Sequence, residues 1–170
     1  HIALINQLQH LIRKHGRMEV IKTSNSKSLL GISDKKTSSH IYKNIKTALL
    51  CDRDVKLVTE WSDKENIYHG KMKLVLPHKM YGMPYIDRNG EFGIARRDIY
   101  VVLDEDIEYL ESCRYVLASD LAIKIFEAAK YRMRFLEKYA FEFIPKPCPE
   151  LFEMIRQAKQ THRYTFNYLP

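Results

Sequence analysis

Two apolar segments that flank a sharp-turn signal restrict the fold of this chain more than any other feature. The first segment runs from Met72 to Leu76 and stops at Pro77, and the second runs from Ile99 to Leu103. The turn sequence Asp87-Arg88-Asn89-Gly90 lies between them. An Asn-Gly pair adopts positive φ at little cost and is the strongest short-range signal for a β-hairpin. The pattern therefore predicts two strands held together in one hairpin unit.

Helical periodicity dominates both ends of the chain. Residues 2–15 predict a helix that ends at Gly16, and its apolar face contains Ile2, Ile5, Leu8 and Ile12. Ser119 is a typical N-cap for a second helix over residues 120–130. A final helix is expected over residues 150–159, after the prolines at 145, 147 and 149.

The secondary structure of the segments before the hairpin unit is harder to predict, but the order of predicted helices and strands along the chain still indicates the fold class. Residues 41–50 fit either a helix or a strand, and residues 55–61 fit a strand. We expect an α+β fold in which a small twisted mixed sheet with a central hairpin is packed by N-terminal and C-terminal helices. The sheet would be built around strands 72–77 and 97–103, and the helices would come from residues 1–15 and 106–158.

Composition limits the class of protein. A length of 170 residues is enough for one domain with a real core, and 45% hydrophobic with 29% charged residues is typical of a globular chain. The formal net charge of +7 favours polyanionic partners. No apolar run approaches the roughly 20 residues that cross a membrane, so no membrane partner is expected. Three cysteines without CxxC spacing predict reduced thiols in an intracellular protein.

Basic and aromatic residues are dense on the predicted hairpin unit and recur in the helical half. Cations neutralise phosphates and aromatic rings stack on bases, so this mixture is typical of nucleic-acid surfaces. In the helical half, Lys130, Arg134 and Lys138 recur at four-residue spacing and would share a helical face. The lysines and arginines are expected to contact phosphates, and the tyrosines and one arginine to contact bases or sugars. The candidate DNA-binding residues are Lys73, Lys79, Tyr81, Tyr85, Arg96, Arg97, Arg132 and Arg134.

Two other functions fit parts of the sequence. A Mg²⁺-dependent nuclease of the restriction type holds its metal with an acidic residue and an acid-x-Lys string, and Asp34, Asp54 and Lys56 have this form. A protein-interaction scaffold would dock a partner through the aromatic C-terminal tail around Phe166. Histidine spacing gives no metal-ligand pattern and no glycine-rich phosphate loop is present, so neither a resident metal nor a cofactor is expected.

The order of motifs from residue 71 to residue 147 resembles the C-terminal specificity domain of TaqI-like adenine-N6 DNA methyltransferases and fused restriction-modification enzymes. That family has a lysine and an apolar strand, followed by the pattern P-Y-x-D-x-x-G-x-x-G. This chain matches the pattern with Pro84, Tyr85, Asp87, Gly90 and Gly93. The family's L-N-S-K-L segment is matched by residues 117–121, and its I-P-x-P signature by residues 144–147. The segments RRDIYVV and YRMRFLEKYAFEFIP are most similar to versions in large DNA viruses and phages.

The resemblance implies a target-recognition module that grips double-stranded DNA while a separate methyltransferase or nuclease domain or subunit performs the chemistry. The N/D-P-P-Y motif and the cofactor-binding glycine motif are absent, so the module itself is expected to be non-catalytic and to bind no S-adenosylmethionine. Ala118 replaces the family's usual Asn and Asp120 its usual Lys, so no role is carried to those positions. We expect one domain over residues 1–170, in which 148–170 form a C-terminal extension. We expect the protein in the cytoplasm, in a viral factory or associated with the nucleoid.

Overall fold

The computed structural model describes residues 2–24, 31–51, 54–77, 84–129 and 138–158. In these ranges the chain has the predicted α+β class, with helices packed on two small antiparallel sheets. The helices are α1 (Ile2–His15), α2 (Ile107–Leu117), α3 (Asp120–Ala129), a 3₁₀ helix (Lys138–Phe143) and α4 (Pro149–Gln157). The strands are β1 (Ile21–Lys22), β2 (Ile32–Ser33), β3 (Tyr42–Cys51), β4 (Asp54–Ser62), β5 (Lys73–Leu76), β6 (Tyr85–Asp87) and β7 (Tyr100–Leu103).

The first sheet has four strands in the order β1-β7-β5-β6. β5 is internal and entirely buried, and its Leu74 pairs with Val102 on one side and with Ile86 on the other. The strands predicted at 72–76 and 99–103 are therefore confirmed as β5 and β7. They pair with each other as antiparallel neighbours, as predicted, but the Asn89-Gly90 turn does not connect one directly to the other. The turn instead follows β6, a three-residue strand too short to give a recognisable alternation of polar and apolar residues.

The second sheet is a long antiparallel ribbon of β3 and β4, with β2 paired to the far end of β4. At about 3.3 Å per residue the ribbon is roughly 30 Å long. Its register shifts between Ile45 and Thr47, so Lys46 is the extra residue of a β-bulge. Residues 41–50, which fit either a helix or a strand by their sequence, are thus mostly strand because they pair with β4.

Capping groups fix the ends of the helices. The side chain of Asp106 accepts a hydrogen bond from the backbone N–H of Glu108 at 3.0 Å, at the start of α2. Ser119 Oγ accepts from the N–H of Ala122 at 3.2 Å, which confirms the predicted cap of α3. Pro149 begins α4, where a missing N–H costs nothing. None of the helices in the described ranges is long and apolar enough to span a membrane.

Two main hydrophobic clusters hold these elements together. The larger combines the helices with the four-stranded sheet, and in it the ring of Tyr100 lies 4.8 Å from that of Phe141. The smaller combines residues of both sheets, including the fully buried Ile45, Val75 and Ile94. Each fully buried aliphatic side chain contributes roughly 1.5–3 kcal/mol to stability. The smaller cluster therefore anchors one end of the ribbon to the rest of the fold.

Candidate nucleic-acid interface

Six lysines accompany the three-stranded sheet, and none of them has an ion pair with a described side chain. They are Lys35, Lys36, Lys43, Lys46, Lys56 and Lys64. β3 and β4 make most of their contacts with each other and with β2. Ile45 and Leu57 pack into the smaller hydrophobic cluster, which anchors one end of the ribbon. Val55 packs against Ala118 at the junction of α2 and α3, so the ribbon is held near its other end as well. Positive charge that no carboxylate neutralises is available to an anionic partner.

Trp61 forms an aromatic platform at the anchored end of this ribbon. The ammonium of Lys36 lies 5.5 Å from the centroid of the Trp61 ring, and that of Lys43 lies 5.7 Å away. Lys43 also lies 5.3 Å from the ring centroid of Phe92. Such cation–π contacts contribute about 0.5–1 kcal/mol each at exposed sites. They hold two cations in place without removing their charge.

A buried polar network supports the same end of the ribbon. Asn66 donates to the side chain of Asn44 at 2.7 Å, and Asn44 donates to Ser62 Oγ at 2.9 Å. The backbone N–H of Asn66 points at His69 Nδ1, so the His69 proton is on Nε2, which donates to the carbonyl of Lys43 at 3.0 Å. No sequence signal indicates this network, because Asn and His at these spacings match no known pattern.

His69 also explains why residue 93 is glycine. A Cβ atom at Gly93 would lie 2.1 Å from the His69 ring, so only glycine allows this packing. Gly93 exchanges backbone hydrogen bonds with β3, donating to the carbonyl of Lys43 and accepting from the N–H of Ile45. The two contacts connect the loop after β6 to the anchored end of the ribbon.

Lys73 lies inside the protein, and this corrects its prediction as a phosphate contact. Its side chain is fully buried, and its ammonium donates to the carbonyls of Tyr68 (2.9 Å) and Lys71 (3.0 Å) and to Asp87 Oδ2 (2.8 Å). Burial lowers the pKa of Lys73, and the hydrogen bond to Asp87 acts in the opposite direction. The Asp87 carboxylate also accepts from the N–H groups of Glu91 and Phe92. Both side chains therefore organise the turn after β6.

The other predicted DNA-binding residues have different environments. Tyr85 is half-buried with its ring 6.3 Å from that of Phe92, and burial raises its pKa. Arg96 pairs with the buried Glu60, whereas Arg97 is exposed. Among the described members of the set, only these two arginines present a cation toward the surface. The remaining members lie outside the described residues: Lys79, Tyr81, Arg132 and Arg134.

The residues of the predicted nuclease centre are far apart. Asp34 follows β2, whose Ser33 pairs with Trp61, whereas Asp54 is the first residue of β4 at the other end of the ribbon. The extended chain from residue 54 to residue 61 spans roughly 20 Å. Two ligand atoms of one octahedral Mg²⁺ ion lie about 3 to 4 Å from each other, because each is about 2.1 Å from the metal. Asp34 and Asp54 therefore do not form one metal site.

One group of metal-ligating side chains occurs within the described ranges, at the junction of α1 and α4. The ligand atoms of His15, Cys148 and Glu150 lie within 4.8 Å of one another. The Glu150 carboxylate already accepts from His15 at 2.7 Å and from Lys14 at 3.2 Å. The Lys14 ammonium repels a metal ion at this position. The group is better explained as an ion-pair junction between the two helices.

A second basic surface lies between residues 16–22 and the 3₁₀ helix, as a groove of about 750 Å³. Arg17, Lys22, Lys138 and Lys146 line it. Arg17 approaches Glu142 at 4.0 Å and Lys22 pairs with Asp98 at 3.5 Å, so part of this charge is neutralised. Glu19 lines the groove as well. The groove is therefore a weaker anion site than the ribbon.

The chain matches no protein-family model, no curated protein and no solved structure. The resemblance to TaqI-like specificity domains therefore depends on the motif residues themselves. In the fold, Lys73 and Asp87 form the buried pair, Gly90 accepts a backbone hydrogen bond from Gly70, and Gly93 packs on His69. These four motif residues thus form the junction of two loops.

Proposed function

We propose that this chain is a DNA-binding target-recognition module of a DNA modification or restriction-modification system, and that the β3–β4 ribbon is the surface that contacts DNA. The observation that supports this most is the group of six lysines on and beside the ribbon, which have no ion pair with a described carboxylate; Lys43, Lys46 and Lys56 lie within β3 and β4. A two-stranded antiparallel ribbon fits the major groove of B-DNA, which is about 12 Å wide. Lysines along such a ribbon can reach phosphates on both sides of the groove.

The ribbon also carries features that suit recognition rather than charge attraction alone. The buried network of Asn44 and Asn66 fixes its anchored end. Trp61 holds the ammonium groups of Lys36 and Lys43 over its ring, which positions two cations for contact with phosphates. Both observations favour a positioned surface over a mobile basic tail.

Catalysis in this proposal belongs to a separate methyltransferase or nuclease domain or subunit. The motif order shared with TaqI-like specificity domains supports this division of labour, as does the lack of a cofactor-binding glycine motif. The chain would then supply sequence selection and affinity, and its partner would supply methyl transfer or cleavage.

The test compares two triple variants that remove equal charge. Lys43→Gln/Lys46→Gln/Lys56→Gln removes it from the ribbon, and Arg13→Gln/Lys124→Gln/Lys138→Gln removes it from exposed helical positions. Fluorescence anisotropy with a labelled 25-base-pair duplex at about 50 mM salt measures affinity. We expect the affinity of the ribbon variant for the duplex to fall about tenfold or more, and that of the helical variant to stay within about twofold of the wild type.

Three results would redirect the proposal. Equal losses in both variants would indicate attraction by net charge, with no defined surface. Negligible binding by the wild-type chain at low salt would support the protein-interaction scaffold instead. Cleavage of the duplex by the purified chain with Mg²⁺ would support a nuclease, with a metal site other than the pair Asp34 and Asp54.

A further inference from the structure

Arg96 is held by a buried carboxylate in a way that leaves one edge of its guanidinium open. Glu60 is 0% exposed, and it accepts hydrogen bonds from Arg96 Nε at 2.9 and 3.1 Å and from Nη2 at 2.9 Å. No described residue accepts from Arg96 Nη1, and the side chain is 34% exposed. The Nε–Nη2 edge is therefore used inside the protein, and the Nη1–Nη2 edge remains for a ligand.

The net charge of the Arg96–Glu60 pair indicates which kind of ligand group it can bind. Glu60 neutralises Arg96, so the pair adds little to the attraction of phosphates. What remains is two parallel N–H donors in a fixed plane, already ordered before any ligand binds. Such a fork matches a neutral planar group with two neighbouring acceptors, and guanine presents N7 and O6 in this way in the major groove.

The position of the pair on the ribbon is compatible with that contact. Side chains alternate between the two faces of a strand, so Lys56, Val58 and Glu60 of β4 share one face. Lys56 is exposed on this face, roughly 13 Å along the strand from Glu60. A phosphate contact by Lys56 and a base contact by Arg96 could therefore be made by one ribbon in one groove.

From this geometry we infer that Arg96, positioned by Glu60, recognises a guanine in the DNA target. The inference depends on the proposed function, because it assigns a base contact within the same DNA-binding surface. It replaces the expectation that Arg96 contacts phosphate. Glu60 acts as a positioning residue, since it touches Arg96 and not the base.

The experiment selects binding sites from a pool of random duplexes, using the full chain. The wild type is expected to prefer G·C at one position by about tenfold to a hundredfold. Arg96→Lys, which keeps the charge but loses the fork, should lose the preference at that position alone. Its affinity for unselected duplex should stay within about twofold. Glu60→Gln should weaken the same preference, and thermal unfolding confirms that each variant is folded.

Two controls separate recognition from structure. Arg88→Lys alters another arginine–carboxylate pair, with Glu111, and should leave the preference unchanged. In a second measurement, 7-deazaguanine replaces the selected guanine in the complex with the unaltered chain. This base lacks the N7 acceptor, so affinity should fall about tenfold even if the Arg96 variant does not fold.

The outcomes distinguish this inference from the proposed function. If 7-deazaguanine binds as tightly as guanine, the role of Arg96 is refuted and the proposed function stands. The same holds if Arg96→Lys folds and keeps the preference. If the wild type binds duplex without any base preference, the role of Arg96 and target recognition are both refuted, and only DNA binding remains. If the wild type binds no duplex at low salt, the proposed function and the base contact are both refuted.

Discussion

A buried lysine is tolerated only when each of its N–H groups has an acceptor, and Lys73 satisfies this condition. Two backbone carbonyls and Asp87 accept its three hydrogen bonds. Removing two charges from water costs several kcal/mol per ion, so an intact buried pair adds little net stability. Breaking the pair is different, because the remaining charge is then buried without compensation.

The Lys73→Ala variant should therefore be strongly destabilised. Asp87 would lose its cation while staying 2% exposed, and such losses cost about 3–5 kcal/mol. Urea denaturation followed by circular dichroism measures the difference in the free energy of unfolding. Lys71→Ala, at an exposed position two residues away, should change it by less than about 0.5 kcal/mol. A loss below about 1 kcal/mol for Lys73→Ala would contradict the importance of the pair.

Single residues of the candidate site were predictable only in part. The density of basic residues on the hairpin unit predicts Lys73 at a DNA-binding surface, in agreement with the rarity of fully buried lysines. A signal was nevertheless present, since Lys73 begins an apolar strand and Asp87, opposite it on β6, comes just before the Asn89-Gly90 turn. Glu60 gave no signal, because a lone acidic residue in a strand is usually solvated. Its partnership with Arg96 links residues 36 positions apart, which no local pattern reveals.

At the scale of elements, the junction of two loops determines how the sheets are joined. The loop before β5 meets the turn after β6 where the N–H of Gly70 donates to the carbonyl of Gly90 at 2.9 Å. Both glycines have positive φ, 73° for Gly70 and 63° for Gly90. They differ in their surroundings, which makes them a matched pair for mutation.

Gly90→Ala should destabilise the chain more than Gly70→Ala. Both substitutions place a side chain in the left-handed region, at about 1–2 kcal/mol. A Cβ at Gly90 would also lie 2.5 Å from the backbone carbonyl carbon of Gly70, whereas a Cβ at Gly70 meets nothing within 4 Å. The crowding should cost a further 1–3 kcal/mol or so. Chemical denaturation of both variants gives the comparison, and equal losses would show that the junction adapts.

Elements that are fixed by neighbouring residues could be predicted from the sequence, whereas elements that are fixed by contacts with distant residues could be predicted only in part. Helix α1 was predicted with both ends and α3 with its start, because caps and apolar periodicity act over a few neighbouring residues. The ribbon was only half anticipated: β4 was predicted, but residues 41–50 were ambiguous. Three long-range interactions make these residues a strand. They pair with β4, the side chains of Ile45 and Ala48 are buried, and Asn44 forms a bridge with Gly93. Such contacts depend on the assembled fold.

Acid should loosen the junction of α1 and α4 through Glu150. Hydrogen bonds from Lys14 and His15 lower the pKa of Glu150 from 4.5 to about 2. The folded pKa is below the unfolded one, so the carboxylate stabilises the fold above about pH 4.5, and this contribution is lost as the pH falls toward 2. Glu150→Gln should flatten the dependence of stability on pH in this window. Thermal melts from pH 2 to pH 6 measure it.

The control for this prediction is Glu127→Gln, an exposed position on α3 without an ion pair to a described residue. It should leave the pH dependence as in the wild type. Because the pair at Glu150 is exposed to solvent, added salt should reduce the effect of Glu150→Gln. An unchanged pH dependence in the Glu150 variant would show that the two helices are held by apolar packing alone.

At the scale of the whole molecule, the lysines of the three-stranded sheet differ from many other described cations, since Lys14, Lys22 and Lys73 pair with carboxylates. Five described arginines pair with carboxylates: Arg17, Arg88, Arg96, Arg114 and Arg156. The six lysines of the three-stranded sheet have no such pair with a described residue. A net charge of +7 predicts attraction to polyanions but not its location. The location follows from which cations the fold neutralises, and that depends on contacts between distant segments.

The affinity of the chain for duplex DNA should therefore fall steeply with salt, in proportion to the lysines that contact phosphates. Each neutralised phosphate contributes about −0.9 to the slope of log K against log salt, so engagement of all six lysines gives a slope of about −5. The ribbon variant Lys43→Gln/Lys46→Gln/Lys56→Gln should have a slope shallower by about 3. Titrations from 50 to about 300 mM NaCl measure both slopes.

The helical variant Arg13→Gln/Lys124→Gln/Lys138→Gln provides the comparison, because it removes the same charge and Lys138 lines the basic groove. If the ribbon is the interface, the slope of the helical variant equals that of the wild type. If this slope flattens while the ribbon variant keeps the wild-type value, the groove beside the 3₁₀ helix is the binding surface. Arg96→Lys should leave the slope unchanged in either case, since Glu60 already neutralises that position.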